Sequence, residues 1–524
     1  MVSIEIHWAD LAAENLIKRE NKKKYVCAAG ITPSGTVHIG NFREAITVDL
    51  VTRALRSKGK EVRFIYSWDE YDVFRKVPKN IPEQEKLQKY LGKPIVDTPD
   101  TFGCHKSYAE HFEKEFEAVL PTAGIVPEFL YQSKKYRACE YAKEMRTAMR
   151  ERKKIVTILN KFREEPLAEP WYPLAIFCGK CGDDDTEVTK YDEEYTVEYS
   201  CKKCNHKASL DFRKEGIAKL PWRVDWPMRW SYEQVDFEPG GKDHSTAGGS
   251  YDTGKQIVKE VWNREAPYYV MYDFISIKGR GGKISSSSGD VITLKDALEV
   301  YEPEIARWLF ASTRPNTEFA ISFDVDVINI YEEFDKCERI YFSKQQIENP
   351  ALLEKEKRMY ELSCVHEIPK QCPIQPSFRH LTNFLLVHEF DEQKVYQDFE
   401  AEVKTPEDKR RLKNRISCVK NWLQKYAPEE MKFTIQDHPE KRTLTPEQHT
   451  AIKQIIQILQ KKRYTDEELH LEFYNIIKGN NLPTMEFFKL MYQILIKKER
   501  GPKLAGFILT IGQNRAIKIL EQVL

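Results

Sequence analysis

Several features that would indicate a membrane or secreted protein are missing from this sequence of 524 residues. It contains no run of about 18 apolar residues, so no membrane-spanning helix is predicted. Residues 1–24 mix acidic and basic side chains and lack an apolar stretch, which argues against a secretory signal. The 11 cysteines do not form the pattern of a disulfide scaffold. We therefore expect a cytoplasmic protein.

The sequence also lacks an excess of either charge, an internal repeat and a low-complexity tract. Its 82 basic and 81 acidic residues give a net charge of +1, so any surface that binds nucleic acid must be local. Hydrophobic residues make up 41% of the chain, which is enough for several cores. At roughly 100–200 residues per domain, we expect three or more domains.

The first recognisable unit is a strand, a loop, a helix and a second strand. Residues 24–30 form a short apolar run that ends in glycine, which predicts a buried strand, and residues 61–68 are predicted to form a second strand. Between them, residues 42–58 place apolar side chains at helical spacing. This order predicts a right-handed βαβ unit.

The α/β pattern is interrupted and then returns. Residues 96–215 contain charged helical stretches and a segment with paired cysteines, which we interpret as an insertion. Strand patterns return at residues 220–226 and 268–275. The sequence therefore predicts an α/β fold with a Rossmann-type parallel sheet, split into residues 1–95 and 216–315. After residue 316 the pattern is helical with no convincing strand, so an all-helical C-terminal region is expected.

A loop rich in glycine lies between the first predicted strand and its helix. Free backbone N–H groups and the positive end of a helix at such a turn bind phosphates. His38 and Asn41 can donate hydrogen bonds as charge shifts during attack on an α-phosphate, and Gly40 lets a nucleotide approach the backbone. The candidates for ATP binding are Thr32, Pro33, Ser34, Gly35, His38, Gly40 and Asn41. The alternative is an ordinary βα turn with a capping residue.

A second loop, rich in glycine and serine, follows the strand predicted at 268–275. A lysine followed by small hydroxyl side chains can close over a triphosphate and neutralise the leaving pyrophosphate. The candidates are Lys283, Ser285, Ser286 and Ser287. The alternative is a flexible linker.

Four cysteines form two Cys-x-x-Cys pairs with 19 residues between them, which is a zinc-ribbon spacing. The expected zinc ligands are Cys178, Cys181, Cys201 and Cys204. Four thiolates leave no coordination position open, so the role is structural. A second zinc would be bound by Asp100, Cys104, His105 and His111, for which the alternative is an aspartate-capped helix with surface histidines.

Both loops resemble the signature motifs of class I aminoacyl-tRNA synthetases. Residues 38–41 (HIGN) are similar to HIGH, with Asn41 in place of the final histidine. Residues 283–287 (KISSS) are similar to KMSKS, with Ser286 in place of the second lysine, which leaves Lys283 as the one assured cation. The two motifs stand in the family's order and each follows a predicted strand. The resemblance implies catalytic roles for His38, Asn41 and Lys283.

Further segments along nearly the whole chain resemble class I lysyl-tRNA synthetases. They are AAGITPSGTVHIGN, SWDEYDVFRKVP, LPWRVDWPMRW, FEPGGKDH, YDFI and KKERGPKLAGFI. The resemblance implies activation of lysine with ATP and Mg2+, transfer to the terminal adenosine of the lysine tRNA, and a requirement for tRNA during activation. It also implies a helical linker domain of the stem-contact type at 316–390 and an anticodon-binding domain at 391–524.

The resemblance implies which residues bind the substrates. A lysine side chain requires an apolar channel, acceptors for its ammonium group and aromatic faces. The lysine pocket would comprise Gly30, Thr32, Trp222, His244 and Tyr272, with Asp69 or Asp72 at the α-ammonium group. Gly240, Gly241 and Asp243 would lie near the ATP ribose. For the aromatic residues, the alternative is plain core packing.

Three other functions fit parts of this pattern. A glutamyl or glutaminyl enzyme would require a basic residue in the amino-acid pocket. A small-molecule nucleotidyltransferase would not require the long helical tail, and a non-catalytic zinc-bearing RNA-binding paralogue would fit the altered second motif. Basic stretches at residues 146–154, 461–463 and 497–503 are either tRNA contacts or solvated helix faces.

Overall fold

The structure is a computed structural model that describes residues 6–278 and 291–524. It contains two compact units. The first comprises Met1–Leu298, Pro303–Ile321 and Cys337–Ile368, and the second comprises Glu299–Glu302, Ser322–Lys336 and Pro369–Leu524. Among the helices in the described ranges, none combines the length and the apolar character needed to cross a membrane.

The first unit is built around a parallel sheet of five strands. Its strands run in the order β10 (Tyr268–Tyr272), β9 (Phe237–Gly241), β1 (Lys24–Ile31), β2 (Glu61–Trp68) and β3 (Glu128–Tyr131), and each neighbouring pair is parallel. The strands of the described residues are β1 (Lys24–Ile31), β2 (Glu61–Trp68), β3 (Glu128–Tyr131), β4 (Ala175–Ile176), β5 (Thr186–Tyr191), β6 (Thr196–Cys201), β7 (Lys207–Asp211), β8 (Ala218–Lys219), β9 (Phe237–Gly241), β10 (Tyr268–Tyr272), β11 (Ile275–Ile277) and β12 (Phe319–Ile321).

Helices cover the sheet and make up most of the C-terminal half. Those of the described residues are α1 (Trp8–Arg19), α2 (Ile39–Ser57), α3 (Gln84–Gln88), α4 (Tyr108–Val119), α5 (Gln132–Arg137), α6 (Ala142–Arg150), α7 (Arg152–Asn160), α8 (Trp222–Tyr232), α9 (Ser250–Trp262), α10 (Leu294–Val300), α11 (Pro303–Ala311), α12 (Asp326–Tyr341), α13 (Pro350–Ser363), α14 (Phe378–Val387), α15 (Glu392–Phe399), α16 (Pro406–Lys425), α17 (Pro446–Lys461), α18 (Asp466–Gly479), α19 (Thr484–Ile496), α20 (Leu504–Ile511) and α21 (Gln513–Glu521).

The strand order positions a ligand site. From β1 the chain adds β2 and β3 on one side, and β9 and β10 later add to the other side. The order therefore reverses between β1 and β9, and in such sheets ligands bind beyond the carboxyl ends of the strands at that point. The helix α2 packs against this centre with Phe42, Ile46 and Leu50 fully buried.

The predicted α/β fold with a Rossmann-type parallel sheet is confirmed, and both strands of the first βαβ unit are present. The strand predicted at 220–226 is wrong, because α8 begins at Trp222. Residues 224–230 of this helix are all buried, including the ion-paired Asp225 and Arg229. A helix buried on every side has no exposed polar face, so its 3.6-residue period cannot be read from the sequence.

Two other strands correct the sequence analysis. Residues 96–215 were interpreted as an insertion, but β3 lies within them and is the edge strand of the parallel sheet. The region after residue 316 was expected to be all helical, but β12 pairs with β11. Both strands are only three or four residues long, too short to give a clear alternation of apolar and polar positions. The paired cysteines lie around the antiparallel sheet β5–β6–β7.

The second unit is held together by helix packing and by one buried ion cluster. Helices α17 to α21 share a continuous apolar core. Separately, the fully buried guanidinium group of Arg415 donates to Glu302 at 2.7 Å and to Asp335 at 2.8 Å. Because these carboxylates come from short segments far earlier in the chain, the ion cluster joins them to α16.

Candidate nucleotide and amino-acid site

A cleft of about 730 Å3 opens beyond the carboxyl ends of β1 and β9, where the strand order reverses. Five candidates from the first glycine loop line it: Thr32, Ser34, His38, Gly40 and Asn41. Gly241, Asp243 and His244 line the other side, together with Tyr272 and Asp72. Pro33, Gly35 and Gly240 are not on its wall. The structure thus brings together seven of the ten predicted nucleotide-binding residues that it describes.

Short-range hydrogen bonds shape the first loop. The Ser34 N–H donates to the Thr32 carbonyl oxygen at 2.8 Å, and the Tyr108 hydroxyl donates to the Ser34 carbonyl oxygen at 2.9 Å. At the start of α2, the His38 N–H donates to Oδ1 of Asn41 at 3.0 Å. A Cβ atom on Gly40 would lie 2.8 Å from the His38 ring, so a larger residue there would displace this ring. The positive end of a helix of 19 residues therefore faces the cleft.

The second signature motif lies outside the described residues. This applies to Lys283, Ser285, Ser286 and Ser287. The described chain on the C-terminal side returns next to the first loop, because the Ile39 N–H donates to the Ile292 carbonyl oxygen at 2.8 Å.

Basic side chains that the sequence analysis missed also line the cleft. Arg75 and Lys76 lie on its rim, and Arg75 forms an ion pair with Asp184. Asp184 follows the first cysteine pair, and its N–H donates to the Gly92 carbonyl oxygen at 2.8 Å. Gly92 has a φ of +86°, and a Cβ there would lie 2.6 Å from a carboxylate oxygen of Asp183. The cysteine-bearing segment therefore contacts the loop that forms this rim.

A smaller cavity of about 60 Å3 lies deeper, against the faces of β1, β2 and β9. It is lined by Gly30, Asp69, Trp222 and His244, four of the predicted lysine-binding residues. The Trp222 and Trp226 rings stack at 5.1 Å with an interplanar angle of 14°, and the His244 ring lies 5.7 Å from Trp226. Trp222 comes from the start of α8, not from a strand end as predicted.

Two acidic residues near this cavity have cationic partners. Asp69 accepts from Arg229 at 2.6 Å, and Asp72 forms an ion pair with the buried Lys219 and accepts from the Thr32 hydroxyl at 2.9 Å. Burial raises the pKa of the Asp69 carboxyl. Burial also acts to raise the pKa of Asp72, but the Lys219 ammonium group outweighs it and the pKa is lowered.

Two other acidic residues of the cavity accept hydrogen bonds only from neutral donors among the described residues, although the Arg229 guanidinium group acts to lower the pKa of Glu238. Glu44 accepts from the Gly30 N–H at 2.9 Å and from the Tyr272 hydroxyl at 2.6 Å. Glu238 accepts from two indole N–H groups of α8, at 2.9 and 2.7 Å. Burial raises the pKa of Glu44 to about 8 and that of Glu238 to about 7. This wall therefore favours a cationic ligand group.

The sequence analysis missed Glu44, Glu238, Lys219 and Arg229. Arg229 lies in the segment LPWRVDWPMRW, which was noted for its aromatic residues, and Lys219 directly precedes this segment. Glu238 lies in the quoted segment FEPGGKDH, where an acid directly after an apolar strand position was the available signal. Glu44 lies on α2, for which the sequence analysis considered only the spacing of the apolar residues.

The four predicted cysteines come together. Their Sγ atoms lie within 4.8 Å of one another, with separations of 3.6 Å for Cys178 to Cys204 and 3.7 Å for Cys181 to Cys201. Four thiolates at about 2.3 Å from a tetrahedral zinc would be about 3.8 Å apart. The four thiol groups therefore have the separations needed to bind a zinc ion with tetrahedral geometry.

Ligand atoms of Asp100, Cys104, His105 and His111 also lie within 4.8 Å of one another. Cys104 Sγ is 3.1 and 3.2 Å from the Nδ1 atoms of the two histidines. Asp100 does not cap α4, because the side chain of Ser107 does so. Its carboxylate instead accepts N–H groups from the surrounding turn and lies 3.7 Å from His111 Nδ1.

Comparisons with known proteins agree over nearly the whole chain. The family model described as tRNA synthetases class I (K) matches residues 6–366. A lysine–tRNA ligase from Borreliella burgdorferi is 51% identical, covering 98% of this chain and 99% of its own length. Lysine–tRNA ligases from Treponema pallidum and Thermococcus kodakarensis are each 44% identical, covering 98% of this chain and 98% and 99% of their own lengths.

Proposed function

Because the chain belongs to the class I lysine tRNA synthetases, we propose that it activates lysine with ATP and transfers the lysyl group to the terminal adenosine of the lysine tRNA. The family resemblance drawn from the two loops is thereby confirmed. The observation that carries the choice of substrate is the buried carboxylate of Glu44, which accepts hydrogen bonds only from neutral donors and has Glu238 in the same cavity. A lysine ammonium group supplies the missing positive charge.

The positions of the acidic residues suggest how lysine is oriented. Its ε-ammonium group enters the inner cavity beside Glu44, with its methylene groups along Trp222. We assign the α-ammonium group to Asp72 rather than Asp69, because Asp72 and Thr32 line the outer cleft where the phosphates bind. This places the substrate carboxylate towards the first loop.

In the first step, a lysine carboxylate oxygen forms a bond to the α-phosphorus of ATP and the bond to pyrophosphate breaks. His38 and Asn41 donate hydrogen bonds to the phosphates, and the N-terminus of α2 stabilises the negative charge. Lys283 neutralises the leaving pyrophosphate, and Mg2+ accompanies ATP. In the second step, the 2′-hydroxyl oxygen of the terminal adenosine attacks the lysyl carbonyl carbon, and AMP leaves. We expect activation to require tRNA.

The inner cavity disfavours the glutamyl alternative. Arg229 lines the cavity, but its charge is already compensated by Asp69 and Asp225. A glutamate side chain would place a carboxylate against Glu44 and Glu238. Two anions buried together cost free energy unless one takes up a proton. We therefore assign lysine rather than glutamate.

Aminoacylation of total tRNA with each amino acid in turn tests the proposed function. We expect charging with lysine, and pyrophosphate exchange only when tRNA is present. Charging with glutamate or glutamine would overturn the substrate assignment, and no charging at all would favour a non-catalytic RNA-binding protein. Strong exchange without tRNA would contradict only the tRNA requirement.

We propose that the four-cysteine cluster binds structural zinc and that the Asp100 cluster binds a second zinc ion. Metal analysis is then expected to find two equivalents of zinc per chain. A Cys201→Ser variant should lose one equivalent, and a Cys104→Ser variant should lose the other. A preparation of the wild-type protein with one equivalent would contradict the second site, and one without zinc would contradict both.

The affinity for lysine is expected to rise with pH between about 6 and 8. Glu44 and Glu238 have pKa values of about 8 and 7, so below these values each carboxyl is protonated and neutral. The substrate ammonium group binds the ionised form, so binding releases protons and Kd falls as pH rises through these pKa values. Calorimetry in buffers of different ionisation enthalpy measures the released protons. A Kd that stays constant over this range would contradict the assignment.

The finer domain division stays a proposal. We place the anticodon-binding region at residues 391–524 and a linker domain of the stem-contact type at 316–390. We also propose a cytoplasmic location, since the reaction uses tRNA, ATP and lysine.

A further inference from the structure

One buried arginine next to the catalytic site has no part in the proposed chemistry. Arg43 lies on α2, directly before Glu44, and only 2% of it is exposed. A buried guanidinium group usually pairs with a carboxylate, because a charge without hydrogen-bonding partners in the interior costs free energy. The hydrogen bonds of Arg43 go instead to main-chain carbonyl oxygens. Its place in the fold is therefore best explained by the segments that it holds.

The guanidinium group of Arg43 joins α2 to two stretches that lie far away in the sequence. Its Nη1 donates to the carbonyl oxygens of Asp273 and Phe274, at 2.8 and 3.1 Å. Its Nη2 donates to the carbonyl oxygens of Arg314 and Thr317, at 3.1 and 2.7 Å. All the donors of its two terminal nitrogens are thereby used.

The first of these stretches forms part of the wall of the outer cleft, the one of about 730 Å3. Residues 272–275 all line it. Since β10 pairs with β9 as far as Tyr272, the sheet holds this wall only up to that residue. Beyond it, the Asp273 N–H donates to the Pro315 carbonyl oxygen at 2.9 Å, within the second stretch. The wall outside the sheet therefore takes its position from Arg43 and from the stretch that Arg43 also binds.

An aromatic ring supports the same guanidinium group. The central carbon of the group lies 5.0 Å from the centre of the Phe319 ring, which is a cation–π contact. Phe319 is on β12, where it pairs with Ile275 of β11. Burial lowers the pKa of Arg43 to about 10, so the group stays charged at neutral pH. The wall of the cleft, β11 and β12 thus meet at Arg43.

The start of α2 also holds the chain on the other side of the second signature motif. In the sequence, that motif lies between Lys278 and Ile292. The Lys278 N–H donates to the Ile321 carbonyl oxygen at 3.0 Å, and the Ile39 N–H donates to the Ile292 carbonyl oxygen at 2.8 Å. Both described ends of this stretch are therefore linked to α2, one through β11, β12 and Arg43 and the other through Ile39.

We propose that Arg43 is a positioning residue for the use of ATP, which sets the spacing between the phosphate-binding start of α2 and the cleft wall at residues 273–275. Arg43 does not itself line the cleft, so it acts through the wall. A displacement of about 1 Å in an active site can cost about 100-fold in rate. The proposal rests on the proposed function only in placing ATP in this cleft.

Replacing Arg43 with lysine in the full chain tests the proposal. An ammonium group is a compact point charge that cannot reach four carbonyl oxygens at the angles of a guanidinium group. We therefore expect kcat for aminoacylation to fall about 10–100-fold and KM for ATP to rise about tenfold. KM for lysine should stay within about twofold of the wild-type value, because Tyr272 is held by the sheet. Calorimetry with ATP alone should show the same loss of affinity as KM for ATP.

Arg307→Lys is the matched control. Arg307 is also fully buried in the first unit, and it donates to the carbonyl oxygens of Ala123 and Leu362, both at 2.9 Å. It contacts α2 through Asp49 at 2.7 Å, but none of these partners lines the outer cleft. We expect urea unfolding to show a similar loss of stability in both variants, with the ATP affinity of the wild type in Arg307→Lys.

Unchanged ATP affinity and kcat in Arg43→Lys would overturn the proposal. So would an equal loss of ATP affinity in Arg307→Lys, because the effect would then come from general destabilisation. If Arg43→Lys does not fold, Phe319→Leu is measured instead. Loss of the ring should weaken ATP binding about two- to fivefold, and an unchanged affinity would count against the proposal. Failure of the proposed function is distinguishable, because it appears as absent lysine charging by the wild type, whereas calorimetry with ATP requires neither lysine nor tRNA.

Discussion

Replacing Glu44 with glutamine is expected to raise KM for lysine roughly 10–100-fold, with a smaller change in kcat. Glutamine keeps the shape and can still accept from the Gly30 N–H, but it loses the negative charge that the substrate ammonium group requires. A hydrogen bond to a charged partner contributes about 1.5–3 kcal/mol, which corresponds to the stated range. Steady-state aminoacylation at varied lysine concentration measures both constants.

Glu233→Gln is the matched control for this change. Glu233 lines the same inner cavity, but Arg63 donates to it at 2.8 Å and Lys135 lies 3.3 Å away. Its charge is already compensated, so KM for lysine should change far less than in Glu44→Gln. Similar KM values for lysine in both variants would show that the carboxylate without a cationic partner contributes no more to lysine binding than the ion-paired one. The assignment of Glu44 would then fail.

Replacing Arg229 with methionine is expected to lower the free energy of unfolding of the first unit by about 3–5 kcal/mol. Arg229 is buried, donates to Asp69 at 2.6 Å and to the Ser67 hydroxyl at 2.9 Å, and lies 3.3 Å from Asp225. Methionine fills much of the volume but leaves these carboxylates buried without a cation. Urea unfolding followed by tryptophan fluorescence is suited to this measurement, because α8 carries three tryptophans.

A double variant separates the effect of the unpaired charge on stability from the effect of lost packing. Asp69→Asn in the Arg229→Met background removes one of the stranded charges and should restore part of the lost stability. If the double variant is less stable than the single one, the loss comes from packing rather than from an unpaired charge. The two sites are in contact, so their effects are not expected to add.

An element of this fold could be predicted from the sequence where neighbouring residues alone show its pattern. β1 and the second half of β2 are largely apolar and buried, so these strands were predicted correctly. The turn before α2 was recognisable because glycine, His38 and Asn41 stand at fixed spacings. By contrast, α8 is buried on every side and was mistaken for a strand.

The acidic lining of the inner cavity could not be predicted for a different reason. Glu44 acquires its character from the Tyr272 hydroxyl, which is 228 positions away in the chain. Lys219 and Asp72, which form an ion pair, are separated by 147 positions. Such pairings follow from the order of strands in the sheet, not from any local pattern. The paired cysteines were predictable because a zinc ribbon combines two local spacings.

The contact between the cysteine-bearing segment and the rim of the cleft would link the zinc ion proposed for the four cysteines to substrate affinity. Asp184 contacts both Gly92 and Arg75, so the position of the rim depends on the fold of the segment next to Cys181. Slow removal of zinc by a chelator should therefore first resemble weak competition with ATP, as a rise in its KM, before activity is lost. An inhibitor screen on this enzyme would then mistake metal chelators for nucleotide-site ligands.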